Sequence, residues 1–342
     1  MSEALSRLGR LVPTRARAHA ARLRIVLGIA LSLLFLAVTI SGIDLPLVSS
    51  FILSANPLGL AAAVAFVAAD VGVRAFRWQT LLGGIASVRY RLALAFLCIG
   101  YFANALLPAR LGDVARAYLA GNAFHAPRLA TLGTIMIERL SDGLIMLATV
   151  IVAGALVPTA GAIRDTAIAL LFAGLAGVLV LSVGLVVARR TRADSTRVGA
   201  LVEGLISRVM AGTVALRTIG GAVRVVGATA VGLVTAILIV SSVAAAVGLQ
   251  LSPLQAAVVT AGLALSMAIP AAPGSLGTYE FVGVSILVGL GFPAEASLAT
   301  IVLVHVIATV PPALAGMVSM WFLHLRVGTI VAGADPAEAA VP

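Results

Sequence analysis

Three short stretches of the chain place ionisable side chains inside otherwise apolar sequence. The first is Asn104-Ala-Leu-Leu-Pro108-Ala-Arg110-Leu-Gly112-Asp113-Val-Ala-Arg116. Pro108 stops a helix, Gly112 admits a tight backbone path, and Asp113 can cap a following helix by accepting from its free N–H groups. Arg110 then stands beside a helix N-terminus, where unpaired N–H groups and the dipole favour an anion. A lipid phosphate fits there, with Arg supplying forked donors. The alternative is an internal Arg110–Asp113 or Asp113–Arg116 pair that ties the segment together. The second stretch is Glu138-Arg139-Leu-Ser-Asp142. Glu138 and Asp142, four apart, share a helix face, and Arg139 is three from Asp142, within pairing reach. The group could bind a cationic head group, carry protons or neutralise Arg110; a structural Arg139–Asp142 clamp is the alternative. The third is Pro270-Ala-Ala-Pro273-Gly274-Ser-Leu-Gly277-Thr-Tyr279-Glu280. Its prolines and glycines break the apolar run, Ser275 can cap the next helix, and Glu280 projects from that helix. With no basic residue nearby in sequence, Glu280 needs a partner from elsewhere: Arg110, Arg139 or a ligand. A protonated, hydrogen-bonded Glu280 is the alternative.

These groups matter because of what surrounds them. Of 342 residues, 61% are hydrophobic and 11% charged, against about 45–50% and 25% in soluble domains. So few charges cannot cover a soluble protein this apolar. Inside a bilayer each ionised side chain costs at least about 2.5–3.5 kcal/mol, so such residues mark sites. All 23 basic residues are Arg, which excludes a P-loop lysine and a lysine Schiff base. The single Cys98 excludes an intramolecular disulfide and any multi-Cys metal site. His19, His125, His305 and His324 have no metal-ligand spacing. No Ser/His/Asp order or nucleotide fingerprint is present, so no cofactor, no metal and no catalytic residue are expected. Asp70, Arg74, Arg77 and Trp78 lie at the end of an apolar run, where Arg and Trp read as interface anchors. His305 reads as hydrogen-bonded packing before a proton relay.

The elements that must position these groups are apolar stretches: 25–43, 58–73, 92–107, 129–157, 166–188, 225–248, 254–270, 275–291 and 298–323. A crossing helix needs about 20 residues, and four of the stretches are short. Arg positions orient them. Six Arg before residue 25 place the N-terminus inside; the Arg-free segment 44–57 is outside; Arg74, Arg77, Arg89 and Arg91 return inside, as do seven Arg in 189–224. Three stretches lie between those inside segments, so one fails to cross. The stretch 92–107, with Pro108 and the weak helix 113–123, reads as a hairpin dipping from inside; 254–270 with 275–291 reads as a hairpin dipping from outside. The expected fold is an all-α polytopic membrane protein. It has about six full transmembrane helices plus two broken re-entrant hairpins, arranged as an inverted repeat. Interrupted segments in matching positions of two halves point to a transport site. Residues 1–24 form a basic cytoplasmic N-terminus and 25–326 one transmembrane domain. Within it, 189–224 is an amphipathic surface helix whose Arg face anionic head groups; 327–342 is a disordered cytoplasmic tail.

Four motifs in this order resemble the lysylphosphatidylglycerol synthase transmembrane region, a flippase-like domain family. They are Arg77-Trp78-x-x-Leu81-Leu82, Asn104-x-x-Leu107-Pro108-x-Arg110-x-Gly112-Asp113-x-x-Arg116, Glu138-Arg139-x-x-Asp142 and Pro273-Gly274-x-x-Gly277-x-x-Glu280. The resemblance covers about residues 25–325, with Asp113 standing where Glu is common. It implies movement of a lipid between leaflets of the cell (plasma or inner) membrane, and not lipid synthesis, since the soluble synthase domain of bifunctional members is absent. The expected substrate is a membrane phospholipid or lipid-linked head group. Asn104, Arg110, Asp113, Arg116, Glu138, Arg139, Asp142 and Glu280 would bind it, with Pro108, Gly112, Pro270, Pro273, Gly274 and Gly277 as structural breaks. Arg charge that mostly orients the protein leaves nucleic acid without support as a partner; a homo-oligomer or a separate lipid-modifying enzyme is open. The alternatives are a membrane-embedded transferase acting on a lipid, or a non-transporting accessory subunit.

Overall fold

The computed structural model describes residues 14–107, 111–156, 210, 212–267 and 272–325. Every regular element among them is helical: α1 (Thr14–Ile40), α2 (Leu45–Leu53), α3 (Pro57–Leu82), α4 (Tyr90–Leu106), α5 (Leu111–Ala123), α6 (Arg128–Leu156), α7 (Ile219–Val247), α8 (Pro253–Ser266), α9 (Thr278–Gly289) and α10 (Ala294–Phe322). Short 3-10 turns occupy Val214–Arg217 and Pro273–Ser275.

Polar residues between the apolar runs start these helices. Asn56 accepts from the Leu58 N–H ahead of Pro57 in α3, and Thr218 accepts from the Gly221 N–H to start α7. Ser252 and Gln255 satisfy each other's backbone N–H groups at the start of α8. Gly248, at φ +97°, ends α7 in the left-handed conformation.

The helices α3, α7 and α10 are long and apolar enough to cross a bilayer, and α1 with α2 makes a fourth if that bent pair is one span. Aliphatic side chains face outward on α1 (Leu33, Leu34), α6 (Leu140, Leu144, Val152), α7 (Val226, Val234) and α10 (Leu314, Val318). A bilayer covers such surface; water would not. The chain is therefore a membrane protein, all-helical among its described residues.

The interior is organised by close helix pairs. The most extensive contacts are α3 along α7, α4 along α10 and α6 along α8. Small residues permit them: a Cβ on Gly59 of α3 would lie 2.9 Å from Ala246 Cβ on α7, and one on Gly316 of α10 would overlap the Cys98 carbonyl of α4. Further neighbours are α4 with α5, α5 with α6, α8 with α9, and α9 with α10.

The structure corrects several expectations. The segment 44–57 is no plain loop. Asp44 caps α2 by accepting from the Leu47 N–H, and α2 lies at 88° to α1 and packs on α10. The expected surface helix does not extend through 214–224: Val214–Arg217 is a 3-10 turn packed on Gly84, and α7 already starts at Ile219 because Thr218 caps it. The second hairpin's outer helix starts at Thr278, so Ser275 does not cap it; Gly277 holds that position. The stretch 166–188, most of the 189–224 segment and the tail lie outside the described residues, as do Pro108, Arg110 and Pro270.

Candidate functional site

Charged residues of α3, α5 and α6 meet in two neighbouring sets of ion pairs: Asp70, Arg74, Arg77, Arg116, Glu138 and Asp142 are connected, and Arg139, next to Glu138 on α6, pairs with Asp113. On α3, Asp70, Arg74, Arg77 and Trp78 fall at helical spacing on one face. Arg74 Nε donates to Asp70 Oδ2 at 2.6 Å, and its Nη1 donates to Asp142 Oδ2 at 3.3 Å. Arg77 donates through Nη1 and Nη2 to the two oxygens of Asp142, at 2.5 and 3.1 Å, and its Nε lies 3.7 Å from Glu138 Oε1. Arg116 of α5 donates to Glu138 Oε2 at 2.8 Å, while its guanidinium sits 4.3 Å above the Trp78 ring. Trp78 in turn donates from Nε1 to Thr134. Arg139 forks onto Asp113 at 2.8–3.1 Å. Helix α7 adds two hydroxyls: Thr229 accepts from Arg77, and Thr235 donates to Asp70.

Among the described residues, four arginines (74, 77, 116, 139) face four carboxylates (70, 113, 138, 142), so their charges balance. That balance is what makes them tolerable among apolar helices, where one unpaired buried charge would cost several kcal/mol. Arg116 is 1% exposed, and its Nε and Nη1 have no hydrogen-bond partner. Arg139 differs: its side chain is 38% exposed.

Glu280 belongs to a second, separate cluster. Its Oε2 accepts the Gly277 N–H at 2.6 Å, and its Oε1 lies 2.5 Å from His305 Nδ1 of α10. His305 Nε2 faces the Gly274 carbonyl at 2.9 Å, and the Tyr279 ring lies against the imidazole, with centroids 4.3 Å apart. The break is built on Gly274 and Gly277, at φ +71° and +85°, following Pro273. Helix α1 braces it: Ser32 Oγ accepts the Ala272 N–H at 2.8 Å, and Phe35 stacks on Phe281.

The first hairpin is closed by Gly112. A Cβ there would overlap the Gly100 carbonyl and lie 2.6 Å from the Asn104 N. Asn104 approaches Asp113 Oδ1 through Nδ2 at 3.5 Å, and its own Oδ1 is buried without a hydrogen-bond partner.

The structure brings Asn104, Asp113, Arg116, Glu138, Arg139 and Asp142 together. Asp113 sits in the first turn of α5 and pairs with Arg139 instead of serving as the N-cap; neither an Asp113–Arg116 nor an Arg139–Asp142 pair forms. Glu280 joins His305 instead of an arginine, because α9 and α10 pack side by side. Asp70, Arg74 and Arg77 are members of the connected ion pairs and not interface anchors. Their signal was present: positions 70, 74 and 77 share one helix face, and an aspartate has no part in anchoring to a headgroup region.

A cavity of about 190 Å³ lies between the two clusters. Asp70 and Arg74 line it on α3, Tyr279 and His305 on α9 and α10, and Thr260 and Met267 on α8; its remaining wall is mostly aliphatic.

Residues 25–316 match the lysylphosphatidylglycerol synthase TM region. The chain is also similar to the glycosyltransferase AglD of Haloferax volcanii, at 27% identity over 360 aligned residues. That alignment takes in 91% of this chain and 56% of the relative, so the chain spans about half the relative's length. With most of its length matched, the chain belongs to the lysylphosphatidylglycerol synthase TM region family.

Proposed function

We propose that the chain is a lipid translocator of the cell (plasma or inner) membrane. It moves a phospholipid or lipid-linked head group between leaflets through the polar interior at two broken hairpins. The observation that carries this reading is the forked Arg139–Asp113 pair, with Arg139 38% exposed, beside the buried ion pairs of α3, α5 and α6. A lipid phosphate can replace Asp113 on the Arg139 guanidinium, one anion for another, with the same forked geometry. The released carboxylate then holds the rest of the head group or pairs within the motif, which by sequence also carries Arg110. Acyl tails stay among the outward-facing aliphatic residues while the head group crosses.

An inverted repeat suits this function and is supported by the helix contacts. Among these eight helices, exchanging α3 with α7, α4 with α8, α5 with α9 and α6 with α10 keeps α3–α7 and maps α4–α10 onto α8–α6, α4–α5 onto α8–α9, and α5–α6 onto α9–α10. In this arrangement six helices cross and the two hairpins dip from opposite sides. Both termini are cytoplasmic, as the Arg distribution favours.

The test is reconstitution of the purified chain in phosphatidylcholine vesicles carrying acyl-labelled fluorescent phosphatidylglycerol. Dithionite reads which leaflet the label occupies. Protein-dependent movement that Arg139→Ala slows is the expected result; absence of movement both for this lipid and for labelled native lipid extract overturns the reading.

The similarity to a protein named as a glycosyltransferase favours a second reading, a membrane-embedded transferase acting on a lipid. That reading requires a new lipid product when the chain is incubated with labelled sugar-nucleotide donors and membrane lipids.

A further inference from the structure

We propose that Glu280 and His305 form a binding site for one exchangeable proton, which clamps the break of the second hairpin and couples lipid movement to a proton gradient. The coupling rests on the translocator reading; the proton site does not. Both ring nitrogens of His305 face acceptors: Nδ1 is 2.5 Å from Glu280 Oε1, and Nε2 is 2.9 Å from the Gly274 carbonyl oxygen. A carbonyl only accepts, so Nε2 carries a hydrogen. The Nδ1–Oε1 contact is a hydrogen bond only if a second hydrogen lies on one of those two atoms. A neutral imidazole and a carboxylate bring one hydrogen between them, and this geometry requires two. The additional hydrogen is the bound proton.

Its loss has a definite structural consequence. The ring then offers one N–H to two acceptors, and one contact turns repulsive. Either α10 releases the Gly274 carbonyl, or it releases Glu280, whose other oxygen holds the Gly277 N–H at the start of α9. Gly274, Ser275 and Gly277 are the positive-φ backbone positions of that same break, so the clamp acts where the chain turns. With the proton the pair is neutral; without it, one net negative charge stands among apolar helices. Two states with different proton affinity are what coupling to a gradient needs.

Of the pair, His305 lines the cavity. Asp70 and Arg74 on α3 line the same cavity but are paired with each other. Tyr279 on α9 lies against the imidazole. On α4, packed against α10, the titratable side chains are Tyr90, Arg91, Cys98 and Tyr101; α8 and α2 have none, and α7 has only Arg224, near its start. Residues 26–40 of α1 have none either.

The proton site is read by 15N NMR of histidine-labelled full-length chain in phospholipid nanodiscs across pH, wild type against Glu280→Gln. The expected wild-type signal of His305, assigned with His305→Asn, shows hydrogens on both ring nitrogens or one shared with Glu280, lost in a single step as pH rises. In Glu280→Gln the amide donates to Nδ1, and the ring stays in its neutral Nε2–H form over the same range. The same titration in both proteins overturns the site. Coupling is read with fluorescent phosphatidylglycerol in the vesicles described above: one proton per lipid shifts the final leaflet ratio about tenfold per pH unit imposed. Movement indifferent to the gradient overturns the coupling and leaves the translocator standing. No movement, with the histidine step intact, overturns the translocator and its coupling and leaves the proton site standing.

Discussion

The guanidinium of Arg77 forks onto both oxygens of Asp142, at 2.5 and 3.1 Å, across 65 residues of chain. That contact locks α3 to α6, and the Arg77 bond to Thr229 adds α7 to the same point. A paired guanidinium in this position is worth little over two aliphatic side chains, but an orphaned partner is expensive. Asp142→Leu therefore destabilises the protein by about 3–5 kcal/mol. The double substitution Arg77→Leu with Asp142→Leu unfolds closer to wild type than that single variant, because Arg74 keeps Asp70 and Glu138 keeps Arg116. Denaturant titration of the detergent-solubilised chain measures both; a double variant weaker than the single refutes the pairing.

Gly112 and Gly143 make opposite predictions for one chemical change. At Gly112 a methyl group meets backbone atoms of Gly100 and Asn104, which cannot move without separating α4 from α5. Gly112→Ala costs about 1–3 kcal/mol or more. At Gly143, exposed on α6, a methyl group meets nothing within 4 Å. Gly143→Ala gains up to about 1 kcal/mol from helix propensity. Thermal unfolding of the two variants gives shifts of opposite sign.

Trp78 joins a hydrogen bond to Thr134 with a face offered to Arg116. Trp78→Phe keeps a ring under the guanidinium and loses the bond, which costs about 1–3 kcal/mol with Thr134 left buried. Trp78→Ala removes the ring as well and adds a cavity, for a total of about 3–5 kcal/mol. A Phe variant as damaging as the Ala variant would refute the ring contact. The buried Trp78 and the exposed Trp321 are the chain's two tryptophans, so loss of the blue-shifted emission component reports on this site directly.

Much of this was legible in the sequence, for physical reasons that also explain the rest. The helices α4 and α5 and the break between α8 and α9 are marked by Pro108, Gly112, Pro273 and Gly274, residues whose backbone preferences act locally. Asp113, Arg116, Glu138 and Asp142 stood out because charge in an apolar run has a cost that sequence alone reveals. Partner choice was not local. Arg77 meets Asp142 because α3 packs beside α6, and Glu280 meets His305 because α9 lies on α10. Asp70 and Arg74 were discounted for sitting near the end of an apolar run, where snorkelling usually explains an arginine. The aspartate four residues before Arg74 was the stronger signal. The 88° bend between α1 and α2 had a cue too, in Asp44 and Pro46 just after Gly42, but an Arg-free apolar segment gave no reason to look for a helix there.

Arg139 separates function from stability most cleanly. Its side chain is the most accessible of the four arginines, at 38% against 22% for Arg74, 4% for Arg77 and 1% for Arg116. Arg139 is partly accessible and Asn104 stays 3.5 Å from the Asp113 carboxylate, so Arg139→Ala lowers the unfolding midpoint less than loss of a fully buried cation does. Arg116→Ala strips Glu138 of one cation inside the core and lowers the midpoint clearly, by an amount on the order of 3–5 kcal/mol. In the vesicle assay Arg139→Ala slows phosphatidylglycerol movement at least about tenfold, the loss of one forked phosphate contact of about 1.5–3 kcal/mol. Arg139→Lys keeps the charge and loses the fork, so its rate falls between those of the wild type and the Ala variant. Equal rates in all three proteins would remove Arg139 from the head-group path.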